Sequence, residues 1–353
     1  MKEIVILRLS SLGDLVHCLP VYHSLIKAYP KANLHWIVAC EFAPLIENLP
    51  RVQLHLADKT NLVSLIQSVR KIKKKLPQKI DLFLNLHDSM SANIASLFLP
   101  KPKEKQSNLG LAKNQARDFQ YLFVARSAKN PKKNQHAVNQ YLNCITTLAI
   151  DPIYDFNLYL PKVQKDEGKK IIVFNLSTSG KHLQKALSKK LYLFIFETLL
   201  EKIALQNQKV ELVLTGTKES QSQKIAEAIE KCNSEKYNNQ TIKLTNALSE
   251  LSLKNWLNLL NQSSLIISPD SAAVHLASSL SIDCLSIYLA TNPKKIGPFH
   301  NQKYCLNVYK KARKKCLNTN EPWDKRIYGQ DLEKYIDKIA LKELIVKVAS
   351  ELN

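Results

Sequence analysis

A short apolar segment near the N-terminus ends in two serines, a glycine and an acid, and it constrains the fold more than any other stretch. Residues 4–7 have the length and character of a buried strand, and residues 15–29 have the apolar spacing of a helix. This strand–turn–helix unit places Asp14 at the carboxyl end of a parallel strand, where open α/β sheets bind ligands. Asp14 is therefore either a helix cap, a frequent role of aspartate, or a functional carboxylate.

Alternating strand and helix patterns continue along the chain and indicate two domains. Apolar segments of strand length recur, each followed by a helical pattern, which is typical of parallel sheets covered on both faces. Residues 101–133 are polar, lysine-rich and weakly patterned, so we expect a long loop with a short helical piece. The chain of 353 residues is also too long for one typical core.

The predicted fold is therefore α/β, with two doubly wound, Rossmann-like domains. They are expected over residues 1–160 and 161–329, with the proline-containing, charged segment 151–167 as the linker. The last segment, 330–353, has the pattern of one amphipathic helix, which can pack back on the N-terminal domain. In such a pair of domains the natural active site is the cleft between the two carboxyl edges.

Composition excludes several classes of protein. No apolar run approaches the roughly 18 residues of a membrane-spanning helix, and the N-terminal run is too short for a signal peptide. Seven scattered cysteines without a C-x-x-C pair argue against a disulfide framework or a zinc site, and they favour a cytoplasmic location. Only seven glycines occur, so we expect them, Gly13 included, where backbone geometry requires glycine.

The net charge of +21, from 51 basic and 30 acidic residues, has two explanations. Basic runs such as 71–75 and 310–315 suit an anionic partner, either a membrane surface or a phosphorylated substrate. Alternatively, the excess reflects AT-rich coding, because only seven of the 51 basic residues are arginine. No nucleic-acid partner is predicted, since arginine is scarce and no recognition-helix motif occurs.

A second candidate site lies in the C-terminal half. A buried strand leads through Ser268-Pro269 into a helix that Asp270 and Ser271 open, with His275 one turn further on. The free N–H groups at such a helix start bind phosphate without a metal. Lys181 and Lys185 follow an earlier strand and are candidates for neutralising a diphosphate; the alternative for both is a solvated lysine.

Other familiar sites are missing from the sequence. It has no Asp-x-Asp pair for a metal-held diphosphate, no Gly-x-Gly-x-x-Gly of a nicotinamide enzyme and no Gly-x-Ser-x-Gly elbow. We therefore predict neither a metal nor a cofactor.

Several motifs together resemble glycosyltransferase family 9, the ADP-heptose:lipopolysaccharide heptosyltransferases, and within it members of the heptosyltransferase I type. The segment Arg8-Leu9-Ser10-Ser11-Leu12-Gly13-Asp14 is similar to the N-terminal signature of that family. His136-Ala137-Val138 resembles its His-Ala-Val helix start, and residues 270–275 resemble its Asp-Ser/Thr-Gly-x-x-His motif. Residues 291–293 and 297–299 resemble its Thr-Asp-Pro and Gly-Pro-Tyr loop.

The resemblance implies a GT-B fold and a role for each matching residue. Asp14 would be the general base, within an acceptor-side loop that includes Ser10, Ser11 and Gly13. Lys185 would bind the donor phosphates, with Lys181 as a competitor, and Glu219 would contact the nucleoside. The heptose and the diphosphate would be held by four residues: Asp270, Ser271, Ala272 and His275.

The sequence departs from the family pattern at several positions. Ala272 stands where the family usually has glycine, Leu187 and Ser188 replace its Trp-Pro, and Asn292 replaces an aspartate. An alanine keeps its backbone N–H, so phosphate binding survives at residue 272 unless the position needs a positive φ.

The expected activity is an inverting, metal-independent transfer of heptose from ADP-heptose to a Kdo-lipid A type acceptor. The enzyme is expected in the cytoplasm, peripheral on the anionic cytoplasmic face of the inner membrane. Two alternatives stay open: a GT-B transferase with another sugar nucleotide or acceptor, and a non-catalytic GT-B protein that binds glycolipid. Nucleotide-induced stabilisation would separate them, because a bound ligand raises apparent stability.

Overall fold

The chain folds into two compact units, Met1–Leu160 and Pro161–Asn353. The computed structural model describes residues 1–130, 135–161, 163, 169–178, 183–206, 209–237, 242–318, 322, 325–329 and 331–352. Each unit contains a six-stranded, wholly parallel sheet with helices between its strands. The predicted α/β, doubly wound fold is therefore confirmed.

The first unit has the strand order β3-β2-β1-β4-β5-β6. Its described elements are β1 (Glu3–Leu7), α1 (Leu12–Ala28), β2 (Asn33–Ala39), α2 (Ala43–Ile46), β3 (Val52–Ala57), α3 (Leu62–Lys73), β4 (Leu82–Asn85), α4 (Met90–Ser96), β5 (Asn108–Gly110), β6 (Arg126–Ser127) and α5 (Ala137–Thr147).

The second unit has the strand order β12-β11-β10-β7-β8-β9. Its described elements are β7 (Lys170–Asn175), α6 (Lys189–Ala204), β8 (Val210–Thr215), α7 (Ser220–Lys236), β9 (Ile242–Asn246), α8 (Leu253–Gln262), β10 (Leu265–Pro269), α9 (Ala272–Ser279), β11 (Asp283–Tyr288), α10 (Pro293–Ile296), β12 (Cys305–Asn307), α11 (Tyr309–Cys316) and α12 (Lys338–Ser350).

Both strand orders reverse direction next to the first strand of the unit. The reversal lies between β1 and β4 in the first sheet and between β7 and β10 in the second. These strands are central and apolar on both faces, as for Ile4 to Leu7, because helices cover both sides of the sheet. Ligands of doubly wound sheets bind beside such a reversal, at the carboxyl ends of the strands.

Residues 101–130, the described part of the segment 101–133, differ from the prediction of a long loop with a short helical piece. They contribute β5 and β6 to the first sheet, along with short 3-10 turns at Lys105–Ser107 and Gln120–Leu122. β5 has three residues and β6 has two, so neither is long enough to show an alternating pattern in the sequence.

The C-terminal helix also differs from the prediction. Residues 333–335 form a 3-10 turn, and α12 begins only at Lys338, because the Asp337 carboxylate accepts the N–H groups of Ile339 and Ala340. Its buried side chains join the core of the second unit, where α12 packs against α6. The packing of this helix on the N-terminal domain stays a prediction.

Among the residues that the structure describes, no helix is both long enough and apolar enough to cross a membrane.

Candidate active site

Asp14 lies in the first turn of α1, directly after the central strand β1. The helix begins at Leu12 with Ser11 as its N-cap, and Oδ2 of Asp14 accepts the N–H of Ser11 at 3.2 Å and its hydroxyl at 2.8 Å. Asp14 is thus not the cap itself but the acidic partner of a capping box. Its side chain still keeps 34% of its surface exposed.

Arg8 forms an ion pair with Asp14 from the end of β1. Its Nη2 lies 2.6 Å from Oδ2 of Asp14, and its Nη1 donates to the carbonyl of Leu86 at 2.5 Å. The guanidinium is buried, so its charge requires a compensating carboxylate. The pair therefore fixes the Asp14 carboxylate at the end of the strand.

Tyr141 of α5 contacts the other oxygen of this carboxylate. Its hydroxyl donates to Oδ1 of Asp14 at 3.1 Å, and its ring centroid lies 5.2 Å from the guanidinium carbon of Arg8. Burial raises the pKa of the Tyr141 hydroxyl well above its ordinary value, so this group remains a donor.

The electrostatics of this cluster keep Asp14 ionised. Burial alone would raise its pKa, but the positive charge of Arg8, the ring of His17 and the hydrogen bonds from Ser11 lower the pKa well below 3.8. An ionised carboxylate with part of its surface exposed can accept a proton from a bound hydroxyl group.

The end of β4 adds polar groups beside Arg8. Burial, followed by the charge of Arg8, lowers the pKa of His87 to about 3, so this imidazole is neutral. Its Nδ1 is buried without a hydrogen-bond partner among the described residues. Burial would raise the pKa of Asp88, but hydrogen bonds from Arg117, one at 3.0 Å, keep the pKa below its ordinary value.

In the second unit, the predicted donor residues lie at the carboxyl edge of the sheet. Lys185 ends a 3-10 turn, Leu183–Lys185, that follows β7, and its Nζ lies 2.6 Å from Oδ2 of Asp270 after β10. The hydroxyl of Thr291, beyond β11, donates to the same oxygen. All three side chains are buried, so two predicted residues and Thr291 form one network.

The start of α9 has the geometry of a capped helix end. Ser271 is the N-cap, and its hydroxyl accepts the N–H of Ala273 at 3.2 Å. Asn175, at the end of β7, lies 3.0 Å from Oγ of Ser271 and so ties the two strand ends together. Ala272 is the first helical residue and does not adopt a positive φ, so alanine is compatible with this position. His275 is buried one turn further along.

Glu219 follows β8 at the same edge. It is the N-cap residue of α7, is partly exposed, and accepts the hydroxyl of Thr217 at 3.1 Å. The preceding Gly216 has a φ of 142°, and a Cβ there would lie 2.8 Å from Oγ of Ser177. Glycine is therefore required in this turn.

The backbone of Gly13 does not adopt the positive φ that would require glycine. It is the second residue of α1, is buried, and is not among the described glycines with positive φ. Ser10 and Ser11 precede it in the loop between β1 and α1, and Ser11 contacts Asp14.

The residues that replace the Trp-Pro of the family keep clear structural roles. Leu187 is a core residue, and Ser188 caps α6 by accepting the N–H of Leu191 at 3.2 Å. The hydroxyl of Ser188 also donates to Glu333 at 2.6 Å. Lys181, the competitor of Lys185, lies outside the described residues.

Sequence reasoning assigned no role to Arg8, Tyr141, Asn175 or Thr291. Arg8 lies within the N-terminal motif, residues 8–14, which was a usable signal, and Tyr141 lies in the helix that follows His136. The contact of Tyr141 with Asp14 depends on the packing of α1 against α5, which the sequence does not show.

Comparison with known proteins identifies the family. The model of glycosyltransferase family 9 (heptosyltransferase) matches residues 69–326, which is more than half of the chain. The chain is 24% identical over 340 residues to the lipopolysaccharide core heptosyltransferase OpsX of Haemophilus influenzae, covering 94% of this chain and 92% of that protein.

Solved structures share the fold across nearly the whole chain. The glycosyl transferase family 9 protein of Veillonella parvula has a TM-score of 0.70 at 18% identity, covering 99% of this chain and 97% of that one. The E. coli ADP-heptose lps heptosyltransferase II has a TM-score of 0.66 at 17% identity, covering 100% and 98%. The E. coli heptosyltransferase WaaC with ADP has a TM-score of 0.66 at 18% identity, covering 86% and 92%. These neighbours share the GT-B type fold, and the family match makes the chain a glycosyltransferase: it belongs to glycosyltransferase family 9, the heptosyltransferases.

Proposed function

We propose that this protein transfers heptose from ADP-heptose to the inner core of a lipopolysaccharide precursor, with inversion at the anomeric carbon and without a metal ion. The observation that carries the proposal is the ionised, partly exposed carboxylate of Asp14 at the carboxyl end of β1. The names of OpsX and of the E. coli heptosyltransferases support the choice of donor and acceptor.

In the proposed reaction Asp14 is the general base. It accepts the proton of an acceptor hydroxyl group whose oxygen attacks the anomeric carbon of the donor. Arg8 and Ser11 hold Oδ2 of Asp14. Oδ1 accepts the hydroxyl of Tyr141, and its remaining lone pairs are available to the acceptor.

On the donor side, the bond between the anomeric carbon and the β-phosphate oxygen breaks, and ADP departs with the electron pair. The Lys185 ammonium has three N–H donors, one of which is directed to Asp270, so others remain for a phosphate. The first N–H groups of α9 add their partial positive charge. Together they provide electrostatically the stabilisation that a metal ion provides in other transferases.

Asp270 has a positioning role in this proposal. Its carboxylate is buried and its Oδ2 is already bound by Lys185 and Thr291, so it orients the lysine. Glu219, partly exposed after β8, is assigned to the nucleoside, and Ser271, Ala272 and His275 are assigned to the diphosphate and the heptose.

The test is a panel of nucleotides followed by product analysis. ADP and ADP-heptose should raise the melting temperature, whereas UDP, GDP and their sugars should not. Incubation with ADP-heptose and a Kdo-lipid A acceptor should then release ADP and add one heptose to the product mass. Stabilisation by another nucleotide would indicate a different donor, and lipid binding without any nucleotide effect would indicate a non-catalytic glycolipid-binding protein.

A further inference from the structure

A turn near the carboxyl edge of the first sheet exposes apolar side chains. We define the apolar turn as residues 117–123; within it Phe119 is 60% exposed, Leu122 is 70% exposed and Tyr121 is 38% exposed. The rings of Phe119 and Tyr121 contact each other edge to face at 6.2 Å, and the N–H of Leu122 donates to the carbonyl of Phe119 at 2.9 Å. Neighbouring exposed apolar groups of this kind commonly mark an interaction site.

The apolar turn is held in place by a buried glutamine. Gln120 is fully buried; its amide oxygen accepts the N–H of Leu111 at 2.9 Å, and its amide nitrogen donates to the carbonyls of Asn85 and His87 at 3.0 and 2.9 Å. These carbonyls lie at the end of β4 and two residues beyond it, and β4 is the strand beside β1, so the turn is anchored at the sheet edge where Asp14 lies.

The backbone of the apolar turn is also strained. Asp118 and Phe119 have φ values of 50° and 54°, in the left-handed region that a bulky residue such as phenylalanine rarely adopts. The carboxylate of Asp118 accepts the N–H of Met90 at 2.9 Å, and its carbonyl accepts the amide of Asn93. The fold thus retains an unfavourable conformation that presents apolar side chains to solvent.

Cationic side chains lie in and beside the apolar turn. Lys113 is exposed and its Nζ lies 5.6 Å from the ring centroid of Tyr121, and the side chain of Arg117 is 79% exposed. Residues 105–130 contain five basic residues and one acidic residue. Aromatic and apolar groups among exposed cations match the headgroup region of an anionic lipid layer.

We propose that the apolar turn docks onto an anionic membrane surface, with Phe119 and Leu122 entering the boundary between headgroups and acyl chains. This inference rests on the proposed lipid-linked acceptor and names the surface that brings the enzyme to it. Because Gln120 connects the turn to the end of β4, docking places the carboxyl edge of the first sheet next to the layer from which the acceptor core projects.

Vesicle binding tests this proposal without any sugar substrate. Full-length protein is mixed with phosphatidylcholine vesicles with or without phosphatidylglycerol, and the bound fraction is measured by flotation. Phe119→Ser combined with Leu122→Ser should weaken binding to the anionic vesicles by roughly tenfold or more, because two apolar side chains no longer enter the layer. Lys113→Gln should weaken it by roughly fivefold, and only when phosphatidylglycerol is present.

A matched control is Leu205→Ser, which removes a leucine that is 81% exposed at the end of α6 in the other unit. It should bind vesicles like the wild type. Equal binding by the wild type and the double variant, with unchanged melting temperatures, would overturn the proposal. So would a double variant that binds vesicles normally but loses self-association in size-exclusion chromatography, since the turn would then bind a second copy of the chain.

The vesicle result is independent of catalysis. Failure of vesicle binding with normal heptose transfer would remove only this inference. Vesicle binding without heptose transfer would support the membrane-docking surface and contradict the proposed function.

Discussion

The hydroxyl of Tyr141 lies 3.1 Å from Oδ1 of Asp14, although the two residues are 127 positions apart in the sequence. The contact directs a neutral donor at one carboxylate oxygen, while Arg8 and Ser11 occupy the other. This hydrogen bond links α5 to the turn after β1, so the position of the Asp14 carboxylate depends on both segments.

Removing either Arg8 or Tyr141, the partners of Asp14, should change the pH dependence of the reaction. Arg8→Met removes the charge that most lowers the pKa of Asp14, so the acid limb of kcat against pH should move to higher pH. Tyr141→Phe removes one hydrogen bond to the carboxylate and should move the limb in the same direction by less, with a loss in kcat of roughly threefold to tenfold. Tyr154→Phe, which alters a tyrosine bonded to Asn139, is the control and should leave the profile unchanged.

Variants of the Lys185–Asp270 pair should separate the contribution of the pair to stability from its contribution to nucleotide binding. Lys185→Met leaves the buried Asp270 carboxylate without its cation, so the free energy of unfolding should fall by about 3–5 kcal/mol. Lys185→Met with Asp270→Asn should recover most of that loss. Both variants should bind ADP at least roughly tenfold more weakly in calorimetry, because a phosphate loses a charged donor.

Lys189→Met changes an exposed lysine at the start of α6 and serves as the control. If the double variant bound ADP as tightly as the wild type, Lys185 would not be a donor ligand.

Two substitutions, one at a position that requires glycine and one where the family usually has glycine, should differ in their effect on ADP binding. Gly216→Ala introduces a Cβ that would lie 2.8 Å from Oγ of Ser177 at a φ of 142°, so it should lower stability and weaken ADP binding through the displaced Glu219 turn. Ala272→Gly restores the residue usual in the family at a position with ordinary φ, so ADP affinity should stay within about twofold and stability should fall by about 0.5–1 kcal/mol. A large gain in ADP affinity from Ala272→Gly would contradict the described helix start.

A buried histidine pair should make stability fall on acidification. Burial, followed by the charges of His35 and Lys75, lowers the pKa of His55 to about 4, and the rings of His35 and His55 lie 3.1 Å apart, Nδ1 to Nε2. The folded pKa is below the unfolded value of 6.5, so this contribution to stability is complete above pH 6.5 and is lost as the pH falls through the folded pKa.

Urea unfolding at pH 7 and at about pH 4.5 measures this effect. The decrease in unfolding free energy between the two pH values should be smaller in His55→Asn than in the wild type. The same decrease in both proteins would show that the pKa of His55 does not differ between the folded and the unfolded state.

The architecture could be predicted because each strand and helix has a recognisable pattern within its own short stretch of sequence. Apolar segments of strand length followed by helical patterns recur throughout, and parallel sheets with buried central strands require that arrangement. The elements that were predicted poorly are those with little pattern in their own sequence. β5, β6 and β12 have two or three residues each, and α12 begins where Asp337 caps it and not where its apolar spacing starts.

The candidate site was predictable only in part, for the same physical reason. Strand ends locate Asp14, Lys185, Glu219 and Asp270 at two sheet edges, because parallel strands align their carboxyl ends. Other contacts that orient these residues come from distant segments, as Tyr141 does for Asp14 and Thr291 for Asp270. Such pairings depend on tertiary packing, which local spacing does not encode.

The most direct measurement of the central claim is the single-turnover rate of heptose transfer from bound ADP-heptose to a Kdo-lipid A acceptor, compared between the wild type and Asp14→Asn. Because this substitution leaves the buried Arg8 without its partner, Arg8→Met with Asp14→Asn is included to restore charge balance. If Asp14 is the base, both variants bind ADP normally but transfer heptose roughly a hundredfold to ten-thousandfold more slowly. Transfer by a folded Asp14→Asn variant at the wild-type rate would contradict the account.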